Sequence, residues 1–241
     1  MIKSIFFDLD GTLLDTSYDL ANAANNALEK LNFGKKRYSA EEIKFIVGHG
    51  QDSYMRTIIP KENYTEENIA LLKKEYTYYY RAHIDEKTIV YEGINELINF
   101  LYKKGVKLFC LTNKNHISTN ILLNKFFDTT KFTKIQGIEE SIIPKPDPSC
   151  LNNLIKEFSL NKEEAVMVGD TEYDILVGKN ASIRTIGAAW GFKGKNFLEE
   201  YSPTYIAEKP LDIIEIVEND DWQIFSYLLS YKIYNAMIKT V

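Results

Sequence analysis

The sequence predicts an α/β fold, in which a doubly wound parallel sheet carries an inserted helical lobe. Short apolar runs, each closed by small or polar residues, alternate along the chain with segments of helical periodicity. That alternation is typical of a parallel sheet covered by helices on both faces. One stretch, residues 17–90, breaks the alternation because it is helix-like without a convincing buried strand. The 241-residue chain is long enough for a large core and such a lobe.

The predicted core elements follow one another in order. The apolar runs predict five strands, at Ile5–Phe7, Val106–Leu111, Ala165–Val168, Thr185–Ala188 and Tyr205–Ala207. The helical periodicity predicts four helices, at Ile94–Lys104, Ile117–Phe127, Pro148–Phe158 and Tyr173–Ala181. These elements assign residues 1–16 and 91–241 to one core domain.

The stretch between the two core segments, residues 17–90, is named the helical lobe. Its helices are predicted at Leu20–Leu31, after a candidate N-cap at Ser39, and from Thr65 to His83. The hinges that join the lobe to the core are expected at residues 15–18 and 89–93. Because no low-complexity linker is visible, the lobe is interpreted as a cap on the core domain.

The C-terminal segment, residues 220–241, carries an apolar stripe. Trp222, Phe225, Leu229 and Ile233 recur at helical spacing. The stripe predicts an additional helix packed against the core, with a contact between two copies as the alternative. A monomer and a homodimer both remain open.

Composition excludes several classes of protein. The net charge of −5 and the short basic clusters provide no footprint for nucleic acid. Cys110 and Cys150 are far apart in sequence and outside any metal-binding pattern, which predicts reduced thiols in the core. No apolar run approaches the length of a membrane span, and the N-terminus lacks the pattern of a signal peptide. We therefore expect a cytoplasmic protein that has no membrane partner.

Four polar motifs come at the ends of predicted strands or in the loops beyond them. They are Asp8-Leu9-Asp10-Gly11-Thr12, Leu111-Thr112-Asn113-Lys114, Pro144-Lys145-Pro146-Asp147-Pro148 and Gly169-Asp170-Thr171-Glu172-Tyr173-Asp174. The carboxyl ends of parallel strands meet at one edge of the sheet, where open α/β folds bind their ligands. Four acids, one hydroxyl and one lysine in such a cleft suit phosphoryl transfer with a hard divalent cation.

The residue types indicate how such a reaction would proceed. Asp8, Asp170 and a backbone carbonyl near Asp10 offer oxygen ligands to Mg²⁺. Once the metal and Lys145 neutralise the phosphate, the Asp8 carboxylate can attack it as a nucleophile. Asp10 is placed to protonate the leaving oxygen and later to deprotonate water. Thr112, Asn113 and backbone amides after Asp8 would hold the phosphoryl oxygens.

The four motifs, in this order, resemble those of the haloacid dehalogenase superfamily of Mg²⁺-dependent phosphatases. The resemblance implies Asp8 as nucleophile, Asp10 as acid and base, Thr112 as phosphate ligand and Lys145 as charge stabiliser. The implied metal ligands are Asp8, Asp10 and Asp170, together with Asp174, which binds the metal directly or supports it; a helix-capping role for Asp174 is the alternative. A helical lobe between the first two motifs resembles the cap that closes over small soluble substrates.

Further residues resemble the phosphoglycolate phosphatase-like subgroup, which also contains pyrophosphatases and nucleotidases. The similar segments are Val47-Gly48-His49-Gly50, Thr112-Asn113-Lys114 and Ala189-Trp190-Gly191. The candidate substrate-binding residues are Thr12, Gly48, His49, Gly50, Arg56, Asn113 and Lys114. For Arg56 the two interpretations are a ligand for a substrate carboxylate and an ordinary surface arginine.

These observations predict a Mg²⁺-dependent phosphatase that acts on a small phosphorylated metabolite through an aspartyl-phosphate on Asp8. Phosphoglycolate is the first candidate substrate. The alternatives are a pyrophosphatase or nucleotidase of the same fold, then a hexose-phosphate mutase, then a binding protein that has no activity.

Overall fold

The computed structural model of the protein describes residues 1–219. Its strands are β1 Ser4–Phe7, β2 Leu14–Asp15, β3 Ile89–Val90, β4 Lys107–Asn115, β5 Phe132–Ile138, β6 Ala165–Gly169, β7 Arg184–Ala188 and β8 Tyr205–Ala207. Its helices are α1 Ser17–Lys30, α2 Ala40–Ile46, α3 Gln51–Ile58, α4 Glu66–Ala82, α5 Ile94–Lys103, α6 His116–Phe126, α7 Ser149–Glu157, α8 Glu172–Asn180 and α9 Gly194–Glu200. The helix predicted over residues 220–241 lies outside the described residues.

Six strands form a parallel sheet in the order β5-β4-β1-β6-β7-β8. All four residues of the central strand β1 are buried, because β4 and β6 flank it and apolar clusters cover both faces. Ile5 and Phe7 belong to one cluster, whereas Phe6 belongs to the other and stacks on Phe109 with ring centroids 4.5 Å apart. The predicted α/β class with a parallel sheet is confirmed.

Strand β5 was not predicted from the sequence. Among residues 1–219 it lies at the edge of the sheet and pairs only with β4. Several of its residues are partly exposed, and Lys134 and Gln136 interrupt its apolar positions. An edge strand of this kind lacks the continuous apolar run that identifies a strand buried on both faces.

The helical lobe contains α1 to α4. The predicted N-cap at Ser39 is confirmed, because Ser39 and Glu42 form a reciprocal capping box at the start of α2. The hydroxyl of Thr65 caps α4 by accepting a hydrogen bond from the backbone N–H of Asn68. The buried residues of α4 recur at intervals of three or four and make one apolar face; they are Ile69, Leu72, Tyr76 and Tyr80.

Two adjacent segments join the lobe to the core. The two-residue strands β2 and β3 pair antiparallel, with Leu14 opposite Val90, in the regions predicted as hinges. Strand β3 lies at the end of the helical lobe, and neither of its two residues is buried. The buried carboxylate of Asp19 accepts hydrogen bonds from the backbone N–H groups of Lys87 and Thr88 and from the Thr88 hydroxyl. Asp19 thus ties the first turn of α1 to the end of the lobe.

The cysteines and the lengths of the helices bear on two expectations from composition. Cys110 and Cys150 are both buried and free, and burial raises the pKa of the Cys110 thiol. Within residues 1–219, no helix has the length and apolar character needed to cross a membrane.

Candidate active site

The four motifs meet at the carboxyl-terminal edge of the sheet. Asp8 follows β1, Asp170 follows β6, Thr112 lies in β4 and Lys145 lies in the loop before α7. Because β1, β4 and β6 are parallel neighbours, their ends bring residues distant in sequence into one cleft beneath the helical lobe.

Three buried carboxylates face one another in this cleft. Asp8, Asp170 and Asp174 each offer an oxygen, and these oxygens lie within 4.8 Å of one another. Burial, followed by the charge of Asp174, raises the pKa of Asp8 to about 6 against the opposing effect of Lys145. Burial and the charges of Asp174 and Asp8 raise the pKa of Asp170 well above its usual range. Ionised, the cluster carries more negative charge than Lys145 balances.

Lys145 is the cation within this cluster. Its Nζ lies 3.0 Å from Asp8 Oδ1 and 2.5 Å from Asp174 Oδ1, and it donates a hydrogen bond to the carbonyl of Leu111. Burial alone lowers the pKa of Lys145, but the charges of Asp174 and Asp8 outweigh burial and raise it. The ammonium group is therefore charged while only 4% of its side chain is exposed.

The cluster fits a divalent cation on two observations. Three ionised carboxylates and one ammonium leave two negative charges, which a dication would neutralise. Asp8 Oδ1 is buried and, despite its proximity to Lys145, lacks a hydrogen bond of good geometry within residues 1–219. A buried charged oxygen without such a partner is costly unless a ligand satisfies it.

Asp170 is held in one orientation by its neighbours. Its carboxylate accepts hydrogen bonds from the Thr12 hydroxyl (3.0 Å) and from the backbone N–H of Phe192 (2.9 Å). A Cβ atom at Gly11 would lie 2.1 Å from Asp170 Oδ2, and one at Gly191 would lie 2.2 Å from Asp170 Cβ. Only glycine at these two positions leaves room for this side chain.

Two predicted site residues have environments that differ from their expected roles, whereas the contacts of Asp174 agree with the supporting and helix-capping roles given for it. Thr12, expected to bind substrate, is fully buried behind Asp170 and orients that carboxylate. The side chain of Asp10, expected among the metal ligands, lies outside the three-carboxylate cluster and accepts hydrogen bonds from Thr16 and Lys114. Asp174 directs one oxygen to Lys145 and the other to Thr171, at the N-terminus of α8.

Asn113 connects the second and third motifs to the helical lobe. Its Oδ1 accepts a hydrogen bond from the backbone N–H of Lys145 (2.8 Å), and its Nδ2 donates to the carbonyls of Lys145 and Gly48 (3.0 and 2.9 Å). Gly48, at φ +118°, passes close to Tyr173. The loop of the lobe therefore contacts the core directly above the cleft.

A cavity with an empty volume of about 690 Å³, part of it open to solvent, separates the lobe from the sheet edge. The core contributes Asp8, Asp10, Thr112, Asn113 and Lys114 to its lining. The lobe contributes Gly48, Gly50, Gln51, Tyr54, Tyr76 and Tyr80. The predicted residues Gly48, Gly50, Asn113 and Lys114 thus line the cavity.

Two predicted residues of the lobe do not line this cavity. His49 is exposed, and its ring contacts that of Tyr173, with centroids 4.4 Å apart. Arg56 is exposed and forms two hydrogen bonds with Glu66, at 2.7 and 2.6 Å, so its guanidinium already has a carboxylate partner. Of its two interpretations, the surface arginine is the one that agrees with the structure.

Sequence reasoning missed the tyrosines that line the cavity. Tyr54, Tyr76 and Tyr80 line the cavity and are almost fully buried, whereas Tyr78 is 75% exposed. The available signal was the type of residue at the buried positions of α4, which changes from Ile69 and Leu72 to tyrosines near the C-terminal end. A hydroxyl at a buried position requires a partner.

A parallel α/β core with clustered carboxylates and a lysine beneath an inserted helical lobe defines the class of haloacid dehalogenase-like proteins. The sequence model of the family described as haloacid dehalogenase-like hydrolase matches residues 5–188, which include all four motifs. The chain therefore belongs to the haloacid dehalogenase-like hydrolase family.

Known proteins resemble the chain over most of its length. A pyrophosphatase PpaX from Listeria welshimeri is 30% identical over 225 residues, which cover 91% of this chain and 98% of that protein. A predicted phosphoglycolate phosphatase from Haemophilus somnus has a similar structure, with a TM-score of 0.83, 26% identity and coverage of 90% of this chain and 98% of that one. A haloacid dehalogenase-like family protein from Streptococcus pneumoniae has a TM-score of 0.79 at 26% identity, with coverage of 90% and 98%.

Proposed function

We propose that the protein is a Mg²⁺-dependent phosphatase that hydrolyses a small phosphorylated metabolite through an aspartyl-phosphate on Asp8. The observation that carries the proposal is the position of Asp8, a buried carboxylate at the base of the cavity with Lys145 Nζ 3.0 Å away. Such a carboxylate can act as a nucleophile only where cations neutralise the incoming phosphate.

Asp8 and Asp170 would hold the metal, together with a backbone carbonyl near Asp10. Asp174 would act indirectly, because its oxygens already engage Lys145 and Thr171. When bound, Mg²⁺ would supply positive charge to the phosphoryl oxygens and lower the repulsion between them and Asp8.

The remaining steps use residues of the chain itself. The Asp8 carboxylate attacks phosphorus, the bond to the leaving oxygen breaks, and Asp10 supplies the proton that this oxygen needs. Asp10 then takes a proton from water as that water opens the aspartyl-phosphate. Thr112 lines the cavity and would donate a hydrogen bond to a phosphoryl oxygen. The amide of Asn113, expected in the same role, is instead engaged by the backbone of Gly48 and Lys145 and would position the loop that carries Lys145.

The helical lobe would limit the access of water during these steps. Asn113 supports this role, because it hydrogen-bonds both to Gly48 of the lobe and to the Lys145 backbone of the core. Closing the lobe is thereby linked to the loop that carries Lys145.

Phosphoglycolate and pyrophosphate are the two candidate substrates. The name of the Haemophilus somnus protein supports the first, and that of the Listeria welshimeri protein supports the second. Both substrates are small, and both carry a second anionic group beyond the phosphate that is attacked.

The test is a phosphatase assay of the purified protein with Mg²⁺ and with a chelator, on both substrates. Asp8→Asn is expected to abolish turnover. The matched control is Asp52→Asn, because Asp52 is 70% exposed and pairs only with Lys73 within residues 1–219. Equal activity in the wild type and Asp8→Asn, or activity unaffected by the chelator, would contradict the proposal.

A further inference from the structure

Hydrogen-bond donors line the part of the cavity beside Asp10. Asp8 and Asp10 are the only carboxylates among the described residues that line the cavity, and both belong to the phosphoryl end. Donors in the lining come from Tyr80 of α4, from Lys114 and Asn115 at the end of β4, and from Ser118 of α6. A ligand group held by these donors would therefore lie beside the ion pair between Lys114 and Asp10.

Tyr80 has a hydroxyl that lacks a partner within residues 1–219. Only 3% of this residue is exposed, and its ring lines the cavity. A buried hydroxyl that makes no hydrogen bond destabilises the folded protein. A ligand that accepts a hydrogen bond in the cavity would remove this destabilisation.

Arg81 follows Tyr80 on α4 and lies one helical turn after Thr77, which lines the cavity. Its Nη2 donates a hydrogen bond to Asn115 Oδ1 at 3.2 Å, and Asn115 lines the cavity as well. Arg81 Nε is buried without a hydrogen-bond partner, and no carboxylate of residues 1–219 forms an ion pair with the guanidinium. Arg56, in contrast, is fully paired with Glu66.

Lys114 adds a second cation beside Tyr80. Its Nζ lies 4.7 Å from the centroid of the Tyr80 ring and 2.9 Å from Asp10 Oδ1, with 6% of the side chain exposed. The contact with the ring orients the ammonium group, and the ion pair ties it to the proposed acid and base. Donors from β4 and α4 thus converge between the core and the lobe.

We infer that Tyr80, Arg81 and Lys114 form a second-anion subsite, which binds a carboxylate or phosphate carried by the leaving group of the substrate. The inference rests on the proposed function and narrows its substrate class to phosphates that bear a second anionic group. Such an anion would satisfy the Tyr80 hydroxyl and Arg81 Nε, which residues 1–219 leave without partners. A neutral leaving group would leave the Arg81 charge uncompensated.

The test compares substrates that differ in this second group. The pairs are phosphoglycolate with 2-hydroxyethyl phosphate, and pyrophosphate with methyl phosphate. For each substrate, the ratio of wild-type to variant kcat/KM cancels the intrinsic reactivity of the ester. Arg81→Gln is expected to lower kcat/KM about 10- to 100-fold on the substrate that carries the second anion, and less than about threefold on its neutral counterpart.

Further variants separate recognition from folding. Arg81→Lys keeps the charge and is expected to retain more activity on the anionic substrate than Arg81→Gln. Tyr80→Phe removes only the hydroxyl and is expected to cause a smaller loss with the same selectivity. Arg56→Gln is the matched control, and we expect its kcat/KM to equal that of the wild type on all four substrates. A larger selective loss on phosphoglycolate identifies the second anion as a carboxylate. A larger selective loss on pyrophosphate identifies it as a phosphate.

Equal losses on anionic and neutral substrates, or no loss on either, would overturn the subsite. If the wild type hydrolyses none of the four, the proposed function fails, and binding still tests the subsite. Calorimetric titration of phosphoglycolate and pyrophosphate into the Asp8→Asn protein with Mg²⁺ is then the readout. Adding Arg81→Gln must weaken the binding of one of them about 10-fold or more; unchanged or undetectable affinity for both overturns the inference.

Discussion

Replacing Asp8 by asparagine is expected to stabilise the metal-free protein, although the same change abolishes turnover. The reason is that Asp8 is buried beside Asp174, and both burial and this charge disfavour its ionised form. Asparagine keeps the shape of the side chain without the charge. The ionised Asp8 carboxylate, which needs a cation beside it, thus destabilises the protein when no metal is bound.

The size of the effect follows from the pKa. A rise from 3.8 to about 6 is about two units, which correspond to about 3 kcal/mol at about 1.36 kcal/mol per unit. Because the native state binds the proton more tightly than the unfolded state, the penalty is fully present above about pH 6 and disappears as the pH falls toward 3.8. At pH 5 about half of it should remain.

The assay is urea denaturation in a chelator at pH 8, 6 and 5. Asp8→Asn is expected to exceed the wild type by about 2–3 kcal/mol at pH 8, which corresponds to a Tm about 5–10 °C higher. The advantage should shrink toward pH 5. Saturating Mg²⁺ should reduce the advantage of Asp8→Asn at pH 8. The wild-type cluster has one more carboxylate and binds the metal more tightly, so the metal stabilises the wild type more than the variant. Asp52→Asn, with an exposed side chain, should follow the wild type throughout.

Two results would refute this reasoning. One is an Asp8→Asn protein that is less stable than the wild type at pH 8 in the chelator, since the Asp8 charge would then be stabilising. The other is an advantage independent of pH, since the effect would then not arise from ionisation of Asp8.

Three other changes test separate parts of the structure. Asp10→Asn should lower kcat by about 100-fold or more with KM little changed, because an acid and base is lost; steady-state kinetics showing an unchanged kcat would remove Asp10 from that role. Asp19→Ala should lower the free energy of unfolding by about 2–4 kcal/mol in urea denaturation, because the N–H groups of Lys87 and Thr88 lose a buried acceptor; a change below about 0.5 kcal/mol would contradict this anchoring. Gly191→Ala should lower Mg²⁺-dependent kcat/KM more than 10-fold by displacing Asp170, and wild-type kinetics would show that the cleft tolerates the added Cβ.

The sequence was most informative about the centre of the sheet. Strand β1 consists of consecutive apolar residues because it is buried on both faces, and such a run is visible without any partner strand. Strand β5 mixes polar and apolar residues, and in the described part of the chain it has a neighbouring strand on one side only. Its presence depends on pairing with β4, which lies more than fifteen residues away in sequence.

For the candidate site, the sequence located several residues but not the contacts that their side chains make. Asp8, Thr112 and Asp170 could be placed at one edge because each follows or ends a recognisable strand, and parallel strands share that edge. The partners of each side chain could not be placed, since they depend on how the loops fold over one another. Thr12 turns toward Asp170, and Asp10 turns toward Lys114.

The helical lobe was the least predictable part of the site. The sequence around Arg56 and Arg81 does not distinguish the two residues. In the structure Arg56 pairs with Glu66, whereas Arg81 has no carboxylate partner among the residues described. The distinction depends on which face of α3 or α4 meets the core, and that follows from packing across the whole lobe.

By itself, the sequence determined the α/β class, the order of the four motifs and the kind of chemistry that their carboxylates and lysine can support. These properties follow from local patterns of apolar and charged residues, which are visible in the sequence alone. Tertiary structure alone decided which carboxylates share a cluster, which arginine lies beside the cavity and which buried hydroxyl has no partner in the described part of the chain. Burial and distance govern these properties, and both arise only when segments far apart in sequence pack together.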